Sequence, residues 1–252
     1  MRLTNVTIPV LNEEKILAAS VRRVIECLEI HCPDAYELVV ADNGSVDRTR
    51  EIGEDLARQH PRVRVVRLDQ RGRGRALKKV WTESEADILS YMDVDLSTDL
   101  KHFPQLIQPL LSGSADVAIG SRLLNPHLTT RGFKREFISR SYNLLVKAFF
   151  QTSFSDAQCG FKAITRRAAD ELLPLVEDTA WFFDSELLIL AEKRDYRIFD
   201  LPVCWVDDPD SRVKIIKTAI EDIKGLIRVR KNLAADKYPP RQTAAIPLLK
   251  AG

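Results

Sequence analysis

The first half of the chain switches repeatedly between two hydrophobic periods. "LTNVTIPV" (3–10) is a short apolar run with the residues of a strand. "EEKILAASVRRVIECLEIH" (13–31) instead spaces Ile16, Leu17, Val21, Val24, Ile25 and Leu28 as one face of a helix. "YELVVA" predicts a second strand and residues 45–58 a second helix, with Ser45 or Asp47 available as its cap. "VRVVRL", "DILSYMD" and "ADVAIGS" predict three further strands, separated by helical "GRALKKVWTES" and "LKHFPQLIQPLLSG".

This order predicts an α/β fold, a mainly parallel central sheet with helices on both faces. In such sheets ligands bind outside the carboxyl ends of the strands. Asn12, Asp42, Asn43, the "RGRG" loop and the pair Asp93/Asp95 all fall at those ends.

The second half is less regular. "TTRGFKREFISRSYNLLVKAFF" (129–150) is basic and aromatic, with five Lys/Arg against one Glu. "DAQCGFKAITRRAADELL" reads as a turn, a strand and a helix, "WFFDSELLILAEK" as a helix and "YRIFDLPVCWV" as a late strand. Residues 213–231 predict a terminal amphipathic helix in which Ile216, Ala219, Ile220, Ile223, Leu226 and Ile227 recur at helical spacing. With eight Lys/Arg and three Asp/Glu over 212–237, that helix either packs its apolar face on the core or lies on an anionic leaflet. There is no internal repeat and no linker, so a single domain is expected over 1–230. The aperiodic, Pro-containing tail at 231–252 is expected to be loosely ordered.

Composition removes several function classes. The 38 basic and 36 acidic residues nearly cancel, so nothing marks a nucleic-acid partner. Cys27, Cys32, Cys159 and Cys204 form no CxxC pair and have no His at zinc spacing, which predicts reduced thiols in a cytoplasmic protein. "MRLTNVTIPV" meets a charged "NEEK" at once, unlike a secretory signal, and no stretch approaches the ~18–20 apolar residues that span a bilayer.

The candidate chemistry is acidic. On an extended strand Asp93 and Asp95 of "YMDVDLST" would point the same way, ~6.6 Å apart along the chain. Two carboxylates with no Lys beside them repel unless a cation joins them. A Mg2+ or Mn2+ that carries phosphate oxygens is the natural occupant. Asp42 in "VVADNGSVDRT" either accepts from a base imide or a ribose hydroxyl, or simply makes an Asx-type turn with Asn43. "RGRGRA" lacks the third glycine of a dinucleotide fingerprint. It reads as a basic loop near phosphate, with Arg71, Arg73 and Arg75 as contacts, or as a solvated turn.

"TIPVLNEE", "VVADNGSVDRT", "RGRGRALKKVW", "YMDVDLS" and "IGSR" stand in the order found in family-2 glycosyltransferases of the GT-A fold, which the chain resembles over about residues 3–230. "SDAQCGFKAITRRAA", "WFFDSELLILAE" and "PVCWVDDPDSRVKI" are most similar to the dolichyl-phosphate β-glucosyltransferases and, more distantly, the mannose synthases of that family. The resemblance implies that Pro9, Leu11, Glu13 and Asp42 line the nucleotide pocket. It implies Asp93 near ribose and metal, and Asp95 as ligand of Mg2+ or Mn2+ on the diphosphate of UDP-glucose or GDP-mannose. Asn43 and Arg71 join the donor side. Ser97 departs from a family pattern that often has Gln there.

Arg135, Ser139 and Asn143 match the segment that handles the acceptor phosphate, and their spacing sets them on one helical face. Arg122 and Arg212 are further phosphate candidates, although the segment around Asp210 and Arg212 departs from a usual Gly-x-Ser-Lys. Asp184 and Glu186 are candidates for a general base and its partner, for sugar orientation, or for acids at a helix N-terminus. The activity implied is inverting, metal-dependent transfer of a hexose, glucose foremost, to polyprenyl phosphate. A soluble hydroxyl-bearing acceptor and a non-catalytic sugar-nucleotide-binding module are the alternatives. Relatives commonly carry a transmembrane anchor, so the expectation is peripheral membrane contact, a membrane partner protein or a non-lipid acceptor.

Overall fold

Strands β1 (Thr4–Val10) and β2 (Tyr36–Asp42) are buried along nearly their whole length. A strand covered on both faces needs apolar residues at every position, hence runs such as "LVVA" rather than strict alternation. The computed structural model describes residues 2–32, 35–130, 132–206, 215–239 and 241. Helix α1 (Leu17–His31) links β1 to β2, and α2 (Thr49–Gln59) leads to β3 (Val63–Arg67). Then α3 (Arg73–Glu83) precedes β4 (Ile88–Met92), and α4 (Phe103–Leu111) precedes β5 (Val117–Ser121). The short β6 (Thr129–Thr130) and α5 (Phe133–Phe150) come next, followed by β7 (Phe161–Thr165), α6 (Arg166–Leu172) and α7 (Phe183–Lys193). The described chain closes with β8 (Ile198–Pro202), β9 (Trp205–Val206) and α8 (Ile215–Ala234).

The main sheet has seven strands in the order β3-β2-β1-β4-β7-β5-β8. Its ladders are parallel except those that β7 makes with β4 and β5. That one reversed strand brings its entry turn, 156–160, to the edge where β1, β2, β4 and β5 finish. One core cluster packs α3, α5, α6, α7 and α8 on one face around Trp81, Tyr91 and Phe183. The other packs α1, α2 and α4 on the opposite face around Ile8, Leu28 and Phe103.

Several boundaries differ from the periodicity for local reasons. Helix α1 begins at Leu17 rather than Glu13, because Asn12 is left-handed (φ 57°) and the chain turns through Glu13–Ile16. Helix α2 begins at Thr49 rather than Ser45. Side chains capture the intervening N–H groups: Asp42 takes Ser45, Asn12 takes Val46, and Asp47 takes Thr49.

Helix α8 corrects two expectations. The domain end placed at residue 230 falls inside it, since α8 runs to Ala234; among the described residues beyond, Asn232 donates to the Tyr238 hydroxyl (3.3 Å) and Arg241 to the Asp195 carbonyl (2.8 Å). Its buried stripe is Asp222, Gly225, Leu226, Val229 and Asn232, whereas Ala219, Ile220, Ile223 and Ile227 face outward. A Cβ on Gly225 would lie 2.3 Å from the Phe182 ring, so α8 can lie this close only with glycine there. No helix among the described residues is long and apolar enough to cross a membrane.

Candidate active site

Asp42 is the last residue of β2 and is fully buried. Its Oδ1 accepts from Ser45 N (2.9 Å), while Oδ2 has no hydrogen-bond partner. The Asx-type turn is therefore real, and it uses only half of the carboxylate. Asn43 accepts from Gly72 N (2.8 Å), tying the β2 end to the "RGRG" loop. Pro9 pairs with Ala41 in the β1–β2 register, Leu11 and Glu13 follow at the β1 end, and Glu13 N donates to Thr49 Oγ1 (2.7 Å). These residues surround one strand-end corner.

The extended geometry expected for 93–95 gives way to a turn. β4 ends at Met92, Leu96 N bonds to the Asp93 carbonyl (3.2 Å), and Leu96 takes a left-handed φ of 51°. The carboxylates consequently part. Asp95 is exposed and caps its own turn through Ser97 N (2.9 Å). The Asp93 side chain points inward, with its Oδ1 2.6 Å from Arg73 Nη2. Burial raises the Asp93 pKa, the Asp95 and Asp184 charges raise it further, and Arg73 opposes them. Gly160 makes room for this carboxylate, since a Cβ there would lie 1.8 Å from Asp93 Oδ2.

Among the three loop arginines, Arg73 turns inward. Its guanidinium lies over the rings of Tyr91 (5.0 Å) and Trp181 (5.1 Å). Burial works against its charge, but Asp93, Tyr91 and Asp184 outweigh that and raise its pKa. Arg75 bonds to Gln70 and to Thr179 Oγ1, and Arg71 is exposed.

Asp184, at the start of α7, accepts from the Tyr91 hydroxyl and pairs with buried Lys162 Nζ (3.3 Å). Glu186, two residues on and about half a helical turn round, makes its contacts elsewhere. Its Oε2 accepts from Asp178 N (2.7 Å) and Arg228 Nη2 (2.8 Å), joining α7 to α8. Burial raises its pKa, against those donors.

Arg122 is committed to Asp156 and stacks 5.0 Å from the centre of the Trp205 ring. In α5 the buried stripe is Ser139, Asn143, Val146 and Phe150, so the expected one-faced spacing holds and that face turns toward the body of the protein. Asn143 accepts from Ala157 N (2.9 Å), the Ser139 hydroxyl has no hydrogen-bond partner, and Arg135 is half-buried one turn earlier. Arg212 and Asp210 lie outside the described residues. Ser97 is buried, and its carbonyl accepts from Val206 N (2.9 Å).

Sequence reasoning missed Lys162, Tyr91, Asp156, Gly160 and Trp181. A lone Lys inside the apolar "CGFKAIT" was the available signal for Lys162, since such a residue needs a buried counter-charge. All four cysteines are free, and burial pushes the Cys159 thiol up to about 12.

For the divalent ion that the resemblance implies, Asp95 offers an exposed carboxylate, whereas Asp93 is engaged by Arg73. No group of three or more His, Cys, Asp or Glu converges on a metal position among the described residues. The donor set thus fits an ion that takes one or two carboxylates and completes its shell with phosphate oxygens. It does not fit an all-protein cage.

Comparison with known proteins identifies the family and the fold. The model of glycosyl transferase family 2 matches residues 5–173. Glycosyltransferase AglD of Haloferax volcanii is 38% identical over 224 residues, covering 88% of this chain and 35% of AglD. A dolichyl-phosphate beta-glucosyltransferase of Trichomonas vaginalis is 29% identical, over 91% of this chain and 72% of its own length. That of Saccharomyces cerevisiae is 26% identical, over 90% and 73%. The chain thus spans about a third of AglD and nearly three quarters of these two glucosyltransferases. Glucosyl-3-phosphoglycerate synthase of Mycobacterium tuberculosis, solved with UDP, shares the fold with a TM-score of 0.69 at 20% identity, over 91% of this chain and 80% of that one. The same enzyme has been solved with Mn2+, UDP and phosphoglyceric acid.

Proposed function

Because the chain belongs to glycosyl transferase family 2 and is a glycosyltransferase of GT-A fold, we propose that it moves glucose from UDP-glucose to the phosphate of a polyprenyl or dolichyl phosphate. One observation carries this reading: Arg73, Asp95 and Asp184 gather around Asp93 beyond the carboxyl end of β4, and Asp42 ends β2, with β1 between the two strands.

Each group has a chemical use there. The unpaired Oδ2 of Asp42 is a buried acceptor, a state that costs about 1–3 kcal/mol and is relieved by a base imide or ribose hydroxyl. Asp95 would hold Mg2+ or Mn2+ against the diphosphate, and the bound ion would stabilise the charge that develops on the leaving group. Arg135, Ser139, Asn143 and Arg212 receive the acceptor phosphate in this reading. Asp184 Oδ1 already pairs with Lys162 and accepts from the Tyr91 hydroxyl, so this oxygen is engaged inside the protein. That favours a phosphate acceptor, which is ionised near neutral pH (second pKa about 6) and needs no base. Direct displacement on an α-linked donor would give a β-linked product.

The same reading places the protein peripherally at the cytoplasmic face of a membrane. Phe137 and Leu144 of α5 and Ile220, Ile223 and Ile227 of α8 are exposed on helices that pack together, beside exposed Arg140, Lys147, Lys224 and Arg230. Apolar side chains rimmed by Lys and Arg suit an anionic leaflet.

The test is transfer of labelled sugar from UDP-glucose and, separately, GDP-mannose to detergent-dispersed polyprenyl phosphate with Mn2+. Organic-extractable product from UDP-glucose, lost on chelation and in Asp95→Ala, is expected. Label found only on a soluble hydroxyl compound would move the acceptor assignment. Nucleotide binding without turnover on any acceptor would leave a binding module instead.

A further inference from the structure

The glycines of "RGRG" serve a protein contact rather than a phosphate. A Cβ on Gly72 would lie 2.3 Å from the Thr179 carbonyl oxygen, and one on Gly74 would lie 2.5 Å from Phe183 Cβ. The first amides of α3 are consumed in the same contact: Gly74 N donates to the Ala180 carbonyl (3.2 Å) and Arg75 N to that of Thr179 (3.0 Å). A helix N-terminus whose N–H groups are filled has little left for an anion. Positive charge at this corner therefore comes from a side chain.

The docked segment sets that side chain. It carries Trp181, whose ring, like that of Tyr91, packs against the Arg73 guanidinium. Only 14% of the Arg73 side chain is exposed. Nη2 sits 2.6 Å from Asp93 Oδ1, off the direction of a hydrogen bond, so Nε and Nη2 keep unsatisfied donors beside the carboxylate. A guanidinium at that distance occupies the oxygen that a divalent ion shared between Asp93 and Asp95 would need, and two cations on one oxygen repel.

We propose that Arg73 is a donor-binding residue that holds Asp93 as an internal ion pair. A divalent metal is thereby excluded from Asp93 until a nucleoside diphosphate arrives, when the free N–H groups of Arg73 turn to the diphosphate. Asp95 would then be the carboxylate that holds the ion against the bound diphosphate. This rests on the donor site proposed above.

The test reads binding. Free Mn2+ is followed by electron paramagnetic resonance in nucleotide-free protein, and UDP binding by calorimetry with and without Mn2+. The neutral Arg73→Gln is expected to bind Mn2+ alone at least about tenfold more tightly than the parent, because Asp93 is released. It should bind UDP at least about tenfold more weakly, through loss of a charge-assisted donor. Arg73→Lys keeps the cation and should exclude Mn2+ as the parent does. The gain in Mn2+ affinity should vanish in Arg73→Gln/Asp93→Asn. Unchanged or weaker Mn2+ binding by Arg73→Gln, or UDP affinity within twofold of the parent, overturns the assignment to Arg73. Should Arg73→Gln fail to fold, Arg73→Lys that admits Mn2+ alone does the same. Absence of UDP binding by the parent protein would instead overturn the donor site itself.

Discussion

Arg122 grips Asp156 through two parallel hydrogen bonds, Nε to Oδ2 at 2.7 Å and Nη2 to Oδ1 at 2.9 Å. Asp156 also accepts from Gln158 N (3.1 Å), so the pair anchors the 156–160 turn to the end of β5. Burial alone would raise the Asp156 carboxyl, but the guanidinium overrides it and leaves the pKa at about 2. A depressed carboxylate contributes stability that is present above its unfolded pKa, about 3.9, and is lost as pH falls toward the folded value. Asp156→Asn should cost about 3–5 kcal/mol at pH 7, because Arg122 stays buried without its partner. Urea unfolding at pH 7 and pH 3 checks this, with a smaller deficit at the lower pH.

Asp222 titrates the other way. It is buried on α8 and accepts from Gln158 Nε2 (3.1 Å). Burial, with the charges of Asp178, Glu221 and Asp184, raises its pKa to about 7. Stability from the protonated form is full below the unfolded value and is lost as pH rises through about 7. Asp222→Asn should be more stable than the parent at pH 8, by about 1–3 kcal/mol, and nearly equal to it at pH 4. Thermal melts across that range decide it.

Gly160→Ala should keep the fold and lose transfer. The added methyl meets a carboxylate that Arg73 holds in place, so Asp93 must move by more than 1 Å (Cβ to Oδ2 is 1.8 Å). Misplacement on that scale costs about 100-fold in rate. Far-UV circular dichroism should be unchanged while kcat/KM falls. Retention of full activity would place Asp93 outside the donor site.

Glu186→Gln separates a base from a tie between helices. The amide still accepts from Asp178 N but leaves Arg228 with Glu177 alone. A structural tie predicts a loss of about 1–3 kcal/mol in urea unfolding. It also predicts kcat within about threefold of the parent; loss of a general base would cost about 10²–10⁴-fold.

What the sequence made legible was local. Apolar runs and helical spacing placed β1 to β5 and the helices between them, and strand-end position singled out Asp42, Asp93 and Asp95. Contacts across sequence were not legible. Periodicity carries no strand direction, so nothing in "FKAIT" revealed that β7 runs against its neighbours. Lys162 needs Asp184, Gln158 needs Asp222 and Arg73 needs the Trp181 segment, and each partner lies more than twenty residues away. The outward turn of Ile220, Ile223 and Ile227 was hidden for a similar reason, since only the fold shows that Asp222 and Gly225 face the body. The turn at 93–96 depends on a left-handed Leu96, a conformation that residue type does not announce.

The reversed β7 also orders events on the ribosome. β4 and β5 have no ladder with each other, and both pair with β7. A nascent chain that has emerged only through residue 121 therefore carries a bare edge on β4 and a β5 bare on both sides, and lacks Gly160, against which Asp93 settles. The gap closes only after residues 161–165 thread between strands already made. The centre is thus completed late in synthesis, and until then those open edges are the places where this protein would be captured by a chaperone or by another copy of itself.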